Sequence, residues 1–522
     1  MSVPAFLEKP NLLAPAVADF ETVDLLTRKP EAEAMALSPG EFALKHQVLP
    51  LSIENGELVA AISGLHSLEA VDDLSILSGM PVRPVLAEAQ QIKEKIEEYF
   101  LSRILSQLPG ESEGVTEIDD TTDLADLTKM AGETAVVQMI NLIFAQAVRD
   151  AASDIHIEPY EREVKVRYRV DGMLHDAIRP PKRMHAALVS RIKILSELNI
   201  AERRLPQDGR MKINIAGRSI DIRVSIIPTV YGERAVMRLL DKGTAMLGLE
   251  QLGMQPDVLT RYRRIIDLPY GIILATGPTG SGKSTSLYAS LQEIWSPETN
   301  ILTVEDPVEY QVPGISQVQV RPGIGLTFAS GLRSFLRQDP DIIMVGEIRD
   351  LETAEIAINA ALTGHMVFST LHTNDAAGAT TRLLDMGVEP FLVASSLVGV
   401  VAQRLVRRVC PYCTEPTPPT EESLIALGIT HAEANTADFR KGRGCERCTH
   451  TGYKGRQGLY ELMVIDDTIR RMTVERTSSD QMKKHAVEEQ GMRTLLGDGK
   501  LAVLAGKTTP AEVLRVCQRE SI

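Results

Sequence analysis

Residues Gly277, Pro278, Thr279, Gly280, Ser281, Gly282, Lys283 and Ser284, followed by Thr285, satisfy the spacing G-x-x-x-x-G-K-[ST]. Glycines at this spacing let backbone N–H groups crowd around phosphate oxygens, and a helix starting at the loop adds positive potential. In such a loop Lys283 reaches the β- and γ-phosphates and the Ser284 hydroxyl holds Mg²⁺. The loop implies ATP or a similar triphosphate as ligand. Hydrolysis also needs a positioned water and charge to meet the developing negative oxygens. Glu347 is the first candidate to orient or deprotonate that water, with Glu309 next in line; a structural ion pair with Arg349 is the alternative for Glu347. The position before it, where a metal-holding Asp is usual, is Gly346, so Glu305, Asp306 and Glu309 are the supply of balancing charge. Arg333 and Arg337 stand one helical turn apart on one expected helix face, as fingers on the γ-phosphate or as partners of the acidic cluster. His372, beside Thr370, Thr373 and Asn374, caps a strand and reads as a γ-phosphate sensor.

A second constellation is cysteine. Cys410 and Cys413 form one C-x-x-C, Cys445 and Cys448 another, and four thiolates suit a tetrahedral structural zinc site with no open position; disulfides are the alternative, disfavoured by a reducing compartment. Between the pairs Pro416, Pro418 and Pro419 mark a loop, and Leu424 to Leu427 an apolar helix. Cys517 is left over and is expected as a packed thiol.

These groups need a scaffold. Ile272 to Ala275 is a short, partly β-branched apolar run before the glycine loop, and Leu287, Leu291 and Ile294 recur at helical spacing after it. Asn300 to Val304, Asp341 to Glu347 and His365 to His372 are further apolar strands ending in polar residues. Short apolar strands separated by helices predict an α/β parallel sheet, with ligands at the carboxyl ends of the strands. The predicted organisation is four segments. Residues 1–106 are a small N-terminal α/β domain with strands near Val48–Leu51 and Glu57–Ile62 and a helix over 88–99. Residues 107–132 are an acidic linker, expected to be solvated and mobile. Residues 133–243 carry a helix over 136–148 and a sheet with one apolar face and one rich in arginine, including Arg223 and Arg238; a solvated face is the alternative. Residues 244–522 are the nucleotide-binding domain, with the cysteine module at 408–458. Phe391 to Ala402, the most apolar stretch, reads as a buried helix too short to span a membrane.

The chain has 522 residues and a formal net charge of −14, which disfavours a general nucleic-acid binder. No basic region followed by an apolar core opens the sequence, so no signal peptide is expected. Five cysteines without an export signal suggest a reducing compartment.

From about Gly132 onward the chain resembles the secretion ATPases of the type II and type IV pilus group, the type II secretion system ATPase E family in particular. The motifs that carry this are Ser153-Asp154-Ile155-His156-Ile157-Glu158-Pro159, Pro206 to Arg210, the glycine loop, Glu305 to Tyr310, Leu336 to Asp341, Gly346 to Asp350, Thr363-Gly364-His365, Ser369 to Asn374, Gln403-Arg404-Leu405 and the paired C-x-x-C. The resemblance implies a RecA-like P-loop ATPase domain behind a PAS-like α+β domain, with ATP, Mg²⁺ and Zn²⁺. It implies a homo-hexameric motor on the cytoplasmic face of the bacterial inner membrane. Its partners would be the cytoplasmic domain of a bitopic secretion protein and a platform protein, with no nucleic acid. It also implies that Arg223 and Arg238 reach nucleotide phosphate when domains close. The modest N-terminal region favours type II secretion over pilus extension, which often carries a longer, repeated N-terminal region. A nucleic-acid translocase and a nucleotide-gated scaffold are the rivals from other classes, disfavoured by the acidic balance and by the intact loop with Glu347.

Overall fold

The computed structural model describes residues 20–25, 28, 30–38, 42–43, 46, 48–64, 67–89, 91–92, 95–96, 134–215, 218–241 and 247–517. The expected acidic linker over 107–132 lies outside the described residues, as does part of the expected helix over 88–99. The chain divides into two compact units, 1–145 with 181–194, and 146–180 with 195–522.

In the first unit β1 (Val48–Glu54) and β2 (Glu57–Ile62) form an antiparallel hairpin. Asn55 and Gly56 make its turn, both at positive φ (52° and 82°), which matches the twist of the two strands. β3 (Val82–Leu86) pairs with β2 in parallel, after the helix Leu68–Ser78. Leu49, Leu51, Val59 and Ala61 pack in one cluster with Ile92 and Ile96, whereas Val48, Leu58 and Ala60 pack in another with Leu74. Burial on both faces is why these strands show no alternation in sequence.

The second unit holds two large sheets. The first is antiparallel, in the order β6-β5-β4-β9-β8-β7. Its strands are β4 (Asp154–Pro159), β5 (Val164–Val170), β6 (Met173–Ile178), β7 (Gln207–Ile215), β8 (Arg218–Thr229) and β9 (Gly232–Asp241). Ile155, Ile157, Val224, Ile226 and Met237 are buried along it. The second sheet runs β12-β11-β13-β14-β10-β15-β18. It comprises β10 (Gly271–Thr276), β11 (Ile301–Glu305), β12 (Ser316–Gln319), β13 (Ile342–Val345), β14 (Met366–Leu371), β15 (Leu397–Val409) and β18 (Tyr453–Val464), with the short pair β16 (Thr414–Pro416) and β17 (Arg440–Gly442) apart from it. Every pairing in it is parallel except β15 with β18. Ile272 and Leu274 join one core cluster and Ile273 and Ala275 another, so both faces of β10 are covered. This is the α/β parallel architecture expected from the sequence.

One expectation is corrected. The apolar stretch from Phe391 to Ala402 is not a single buried helix: the helix Pro390–Ser396 stops and β15 begins at Leu397. A short continuous apolar run does not distinguish helix from buried strand. Here Val398, Val400 and Val401 favour the strand, and β10 and β18 supply hydrogen-bonding partners on either side. No helix among the described residues is long and apolar enough to cross a membrane.

Candidate functional site

Parallel strands bring four chemical segments to one end of the sheet. The glycine loop follows β10, Glu347 follows β13, His372 follows β14, and Glu305 to Glu309 close β11. β14 lies between β13 and β10, so the histidine segment stands between the loop and the glutamate.

The loop is shaped by its glycines. Gly277 and Gly282 have φ of 143° and 91°, in the region that only glycine tolerates well. A Cβ on Gly282 would stand 2.7 Å from Gln403 Nε2, and one on Gly277 would stand 2.6 Å from Gln403 O. The helix Lys283–Ile294 then starts at Gly282. Lys283 Nζ donates to the carbonyls of Gly277 (2.6 Å) and Pro278 (3.2 Å). Burial lowers its pKa to about 8, against the opposing charge of Glu347 and with the help of Arg404. Ser281 Oγ is buried and has no hydrogen-bond partner. A buried hydroxyl without a partner, beside a lysine turned onto its own loop, fits a phosphate group. Ser284 is exposed in the first helical turn, where its hydroxyl can serve Mg²⁺.

Glu347 lies between an arginine and a histidine. Its carboxylate takes a hydrogen bond from Arg349 and stands 3.4 Å from His372 Nε2. The ion pair weighed as its structural alternative is therefore present, together with a contact to the histidine. The glycine before it has no spare room: a Cβ on Gly346 would lie 3.3 Å from Val304 O and from Glu305 Cα. An Asp there would press on β11, which gives a packing reason for its absence. Thr370 Oγ1 donates to Gly346 O at 2.8 Å and fixes this corner.

Glu305 is buried and accepts from Tyr288 OH, Thr303 Oγ1 and Gln317 Nε2. Both of its oxygens accept hydrogen bonds from the protein. Glu309 is instead 3.2 Å from Arg223 Nη1, an arginine of β8. Arg223 belongs to a row across the antiparallel sheet: Arg210, Arg223, Arg238, Asp154 and Arg169 are successive cross-strand partners. Arg238 Nε donates to Asp154 Oδ1 at 2.9 Å, and this raises its pKa. Arg223 has its pKa lowered by burial, with Glu309 opposing and Arg210 and Arg238 reinforcing. The arginine-bearing face of this sheet also holds a buried Asp154, His156 and Glu158.

The two arginines expected on one helix face do not share it. The helix Phe328–Phe335 ends before Arg337, which donates to Arg333 O and to Ser334 Oγ. Arg333 pairs with Glu352, not with the acidic cluster after β11.

The cysteines converge. Cys410 Sγ lies 3.9 Å from Cys445 Sγ, Cys413 Sγ 3.9 Å from Cys448 Sγ, and Cys445 Sγ 3.7 Å from Cys448 Sγ. Four sulfurs at about 2.3 Å from a tetrahedral zinc stand roughly 3.8 Å apart, so the set fits that ion. Burial raises Cys413 to about 12. Burial also works to raise Cys448, but the N–H groups of Cys445 (3.2 Å) and Gly452 (3.3 Å) donate to its sulfur and bring it to about 7. Cys517 is buried in the large core cluster.

Sequence reasoning missed several contributors. Tyr288 and Gln317 hold Glu305, and Gln403 accepts from Ser286 Oγ at 2.8 Å beneath the loop. Glu461 of β18 accepts from Ala376 N at 2.8 Å, just after the histidine segment. Their sequence signal is no more than a polar residue within a strand or helix.

Comparison with known proteins follows the same outline. A family profile described as "Type II/IV secretion system protein" matches residues 129–515, and one described as "MshEN domain" matches residues 18–104. The type II secretion system protein HxcR of Pseudomonas aeruginosa is 49% identical over 491 residues, covering 93% of this chain and 97% of the relative. The type IV pilus assembly ATPase PilB of Myxococcus xanthus is 44% identical over 490 residues, covering 93% and 86%. The X-ray structure of the Legionella pneumophila ATPase DotB superposes with a TM-score of 0.54 at 21% identity, covering 72% of this chain and 95% of that one, a likeness of fold alone.

Proposed function

This chain belongs to the type II/IV secretion system protein family, and from that premise we propose that it is a hexameric ATPase motor driving pseudopilus assembly and protein export by a type II secretion system. The observation that supports this most is the convergence of the glycine loop, Glu347 and His372 at adjacent strand ends, in a chain 49% identical to a type II secretion protein. The motor works from the cytoplasmic face of the inner membrane, docked on a bitopic secretion protein and a platform protein.

In this reading Lys283 exchanges its two loop carbonyls for the β- and γ-phosphate oxygens. Backbone N–H groups of Gly280 to Ser284 cradle the phosphates, with the helix start behind them. Ser284 would hold Mg²⁺, which would supply positive charge to offset that of the phosphates. Glu347 orients the attacking water and takes its proton, and His372 beside it reads the γ-phosphate. Arg223 and Arg238 add positive charge when the arginine sheet closes on nucleotide, and opening on release gives the two states a motor needs. Cys410, Cys413, Cys445 and Cys448 hold a structural zinc. Segments 1–106, 107–132, 133–243 and 244–522 serve as docking domain, tether, arginine-bearing domain and ATPase domain.

The test is phosphate release by the purified hexamer, combined with identification of the membrane proteins that co-purify with it. ATP hydrolysis with pseudopilus-assembly partners supports the proposal; absence of hydrolysis rejects it. Pilus-assembly partners would favour the second reading, a pilus-extension motor, to which the 44% identity with the Myxococcus protein lends support.

A further inference from the structure

We propose that Arg404 is a positioning residue for the nucleotide reaction, tying the first turn of the phosphate loop to the segment after His372 so that this segment responds to the γ-phosphate. The inference rests on reading the site as an ATPase site.

Arg404 sits in β15, next to β10, and is only 9% exposed. Its guanidinium bonds to oxygens without formal charge: Nη1 donates to Gln403 O at 3.1 Å and Nη2 to Asn374 O at 2.9 Å, with Asn374 Oδ1 at 3.5 Å. No carboxylate lies within ion-pair distance of it among the described residues. Burial accordingly lowers its pKa, while Cys517, Glu461 and Asp375 act in the opposite sense. A buried cation without a paired anion is costly. Glu461 and Asp375 offset part of that cost from a distance, and a phosphate in the loop would bring negative charge directly beside the guanidinium.

Its position says which ligand. A Cβ on Gly277 would stand 3.2 Å from Arg404 Nη1, so the guanidinium lies against the first glycine of the loop. Lys283 feels its charge. The other end of the same guanidinium holds Asn374, two residues after His372. One planar group therefore spans the loop that grips phosphate and the segment that carries the sensor. Geometry of this kind favours arginine, because its donors diverge in a fixed plane.

The segment it holds is braced from two further strands. Glu461 of β18 accepts from Ala376 N, and Thr276 at the end of β10 donates to Asp375 O at 3.4 Å. Gln403, the residue before Arg404, supports the loop from beneath through Ser286 and against Gly282. β15 thus supplies two consecutive side chains beside the loop: Gln403 braces it from below, and Arg404 lies against Gly277 while holding the histidine segment. A shift of the phosphate loop on nucleotide binding is transmitted through Arg404 to residues 373–376. Electrostatic preorganisation of this kind affects turnover more than ground-state binding.

The test uses the full chain with ATP, ADP and a non-hydrolysable ATP analogue. Arg404→Gln is expected to lower kcat about tenfold or more while the affinities for ATP and ADP stay within about threefold. Arg404→Lys keeps the charge but cannot span both oxygens, and it is expected to remain slow; full recovery by lysine overturns the bridge. Hydrogen exchange of the wild-type chain is the arm that needs no variant to fold. Amides of residues 373–376 should be more protected with the ATP analogue than with ADP, and in Arg404→Gln this difference should vanish. Equal protection by both nucleotides in the wild type overturns the proposal, as does an unchanged kcat in Arg404→Gln. If the wild type binds nucleotide without hydrolysing it, the functional reading fails on its own and the exchange comparison still decides the coupling.

Discussion

Arg223 Nη1 stands 3.2 Å from Glu309 Oε2, and Nη2 of the same guanidinium donates to Val308 O at 2.7 Å. The arginine sheet is thereby fastened to the acidic segment after β11, which itself runs on to Tyr310, whose ring packs tilted against that of Tyr288 with centroids 4.6 Å apart. The guanidinium proposed to meet a phosphate is here already partly desolvated and held by a carboxylate.

Removing that guanidinium leaves Glu309 without its partner and takes a cation from the site. Arg223→Ala is expected to reduce ATP turnover about tenfold or more, the usual scale for one preorganised charge. Steady-state kinetics and nucleotide titration check this. Unchanged affinity together with unchanged turnover would count against a role for the arginine sheet.

The core chemistry separates by residue. Lys283→Ala should abolish hydrolysis, since its charge serves the transferred phosphate. Glu347→Gln should keep nucleotide binding and lose about two or more orders of magnitude in kcat, because the group proposed to orient the water is removed while the phosphate loop is untouched. The variant also releases Arg349 and His372, so the fold is to be verified by thermal denaturation. Normal hydrolysis by Glu347→Gln would pass the role to Glu309.

Metal analysis of protein prepared without chelators should find about one zinc per chain. Chelation, or Cys445→Ser, should expose the module between Cys410 and Cys448 to protease while nucleotide binding persists. The three sulfur separations of 3.7 to 3.9 Å leave space for the ion among them. Protein that contains no zinc and is insensitive to chelator refutes the site.

Stability of the C-terminal region should fall in acid through Glu512. Burial pushes its pKa up, but hydrogen bonds from Arg407 and Arg515 prevail and take it from 4.5 to about 2. A depressed carboxylate contributes stability above its unfolded pKa and loses it as pH falls through the folded value. The window therefore runs from about pH 4.5 down to 2, with up to roughly 3 kcal/mol at stake for a shift of this size. Glu512→Gln should lower the melting temperature at pH 7 and flatten its dependence across that window. A variant with wild-type acid sensitivity would assign the effect to another group.

Deleting residues 1–106 should leave basal ATP hydrolysis largely intact and remove membrane association in cells. That segment carries no catalytic constellation, and no described helix can span a membrane. Sedimentation of the truncated chain with membranes, at the level of the full chain, would move docking to the ATPase or cysteine module.

Much of the site was legible in the chain because its signals are local. The glycine loop, with its strand before and helix after, needs only contiguous residues to specify its geometry. The two C-x-x-C pairs identify their own chemistry. Short apolar runs ending in Glu305, Glu347 and His372 give the strand ends, since a parallel strand covered on both faces has to be apolar throughout.

Tertiary structure decided what depends on neighbours distant in sequence. Nothing near Gly346 signals that a Cβ would press on Val304 and Glu305; that follows from the pairing of β11 with β13. The stretch after Ser396 becomes a strand because β10 and β18 offer it hydrogen bonds, a choice invisible to periodicity in a run apolar on every side. Arg333 and Arg337 part because the helix ends at Phe335, and helix ends are weakly encoded. Arg404 meets both Gly277 and Asn374 only because β15 is laid parallel beside β10, joining segments 127 and 30 positions away in the chain. Residue types and short spacings fix which chemistry is available; strand order fixes which groups share it, because hydrogen-bonded neighbours in a parallel sheet are chosen by crossover connections and not by adjacency in sequence.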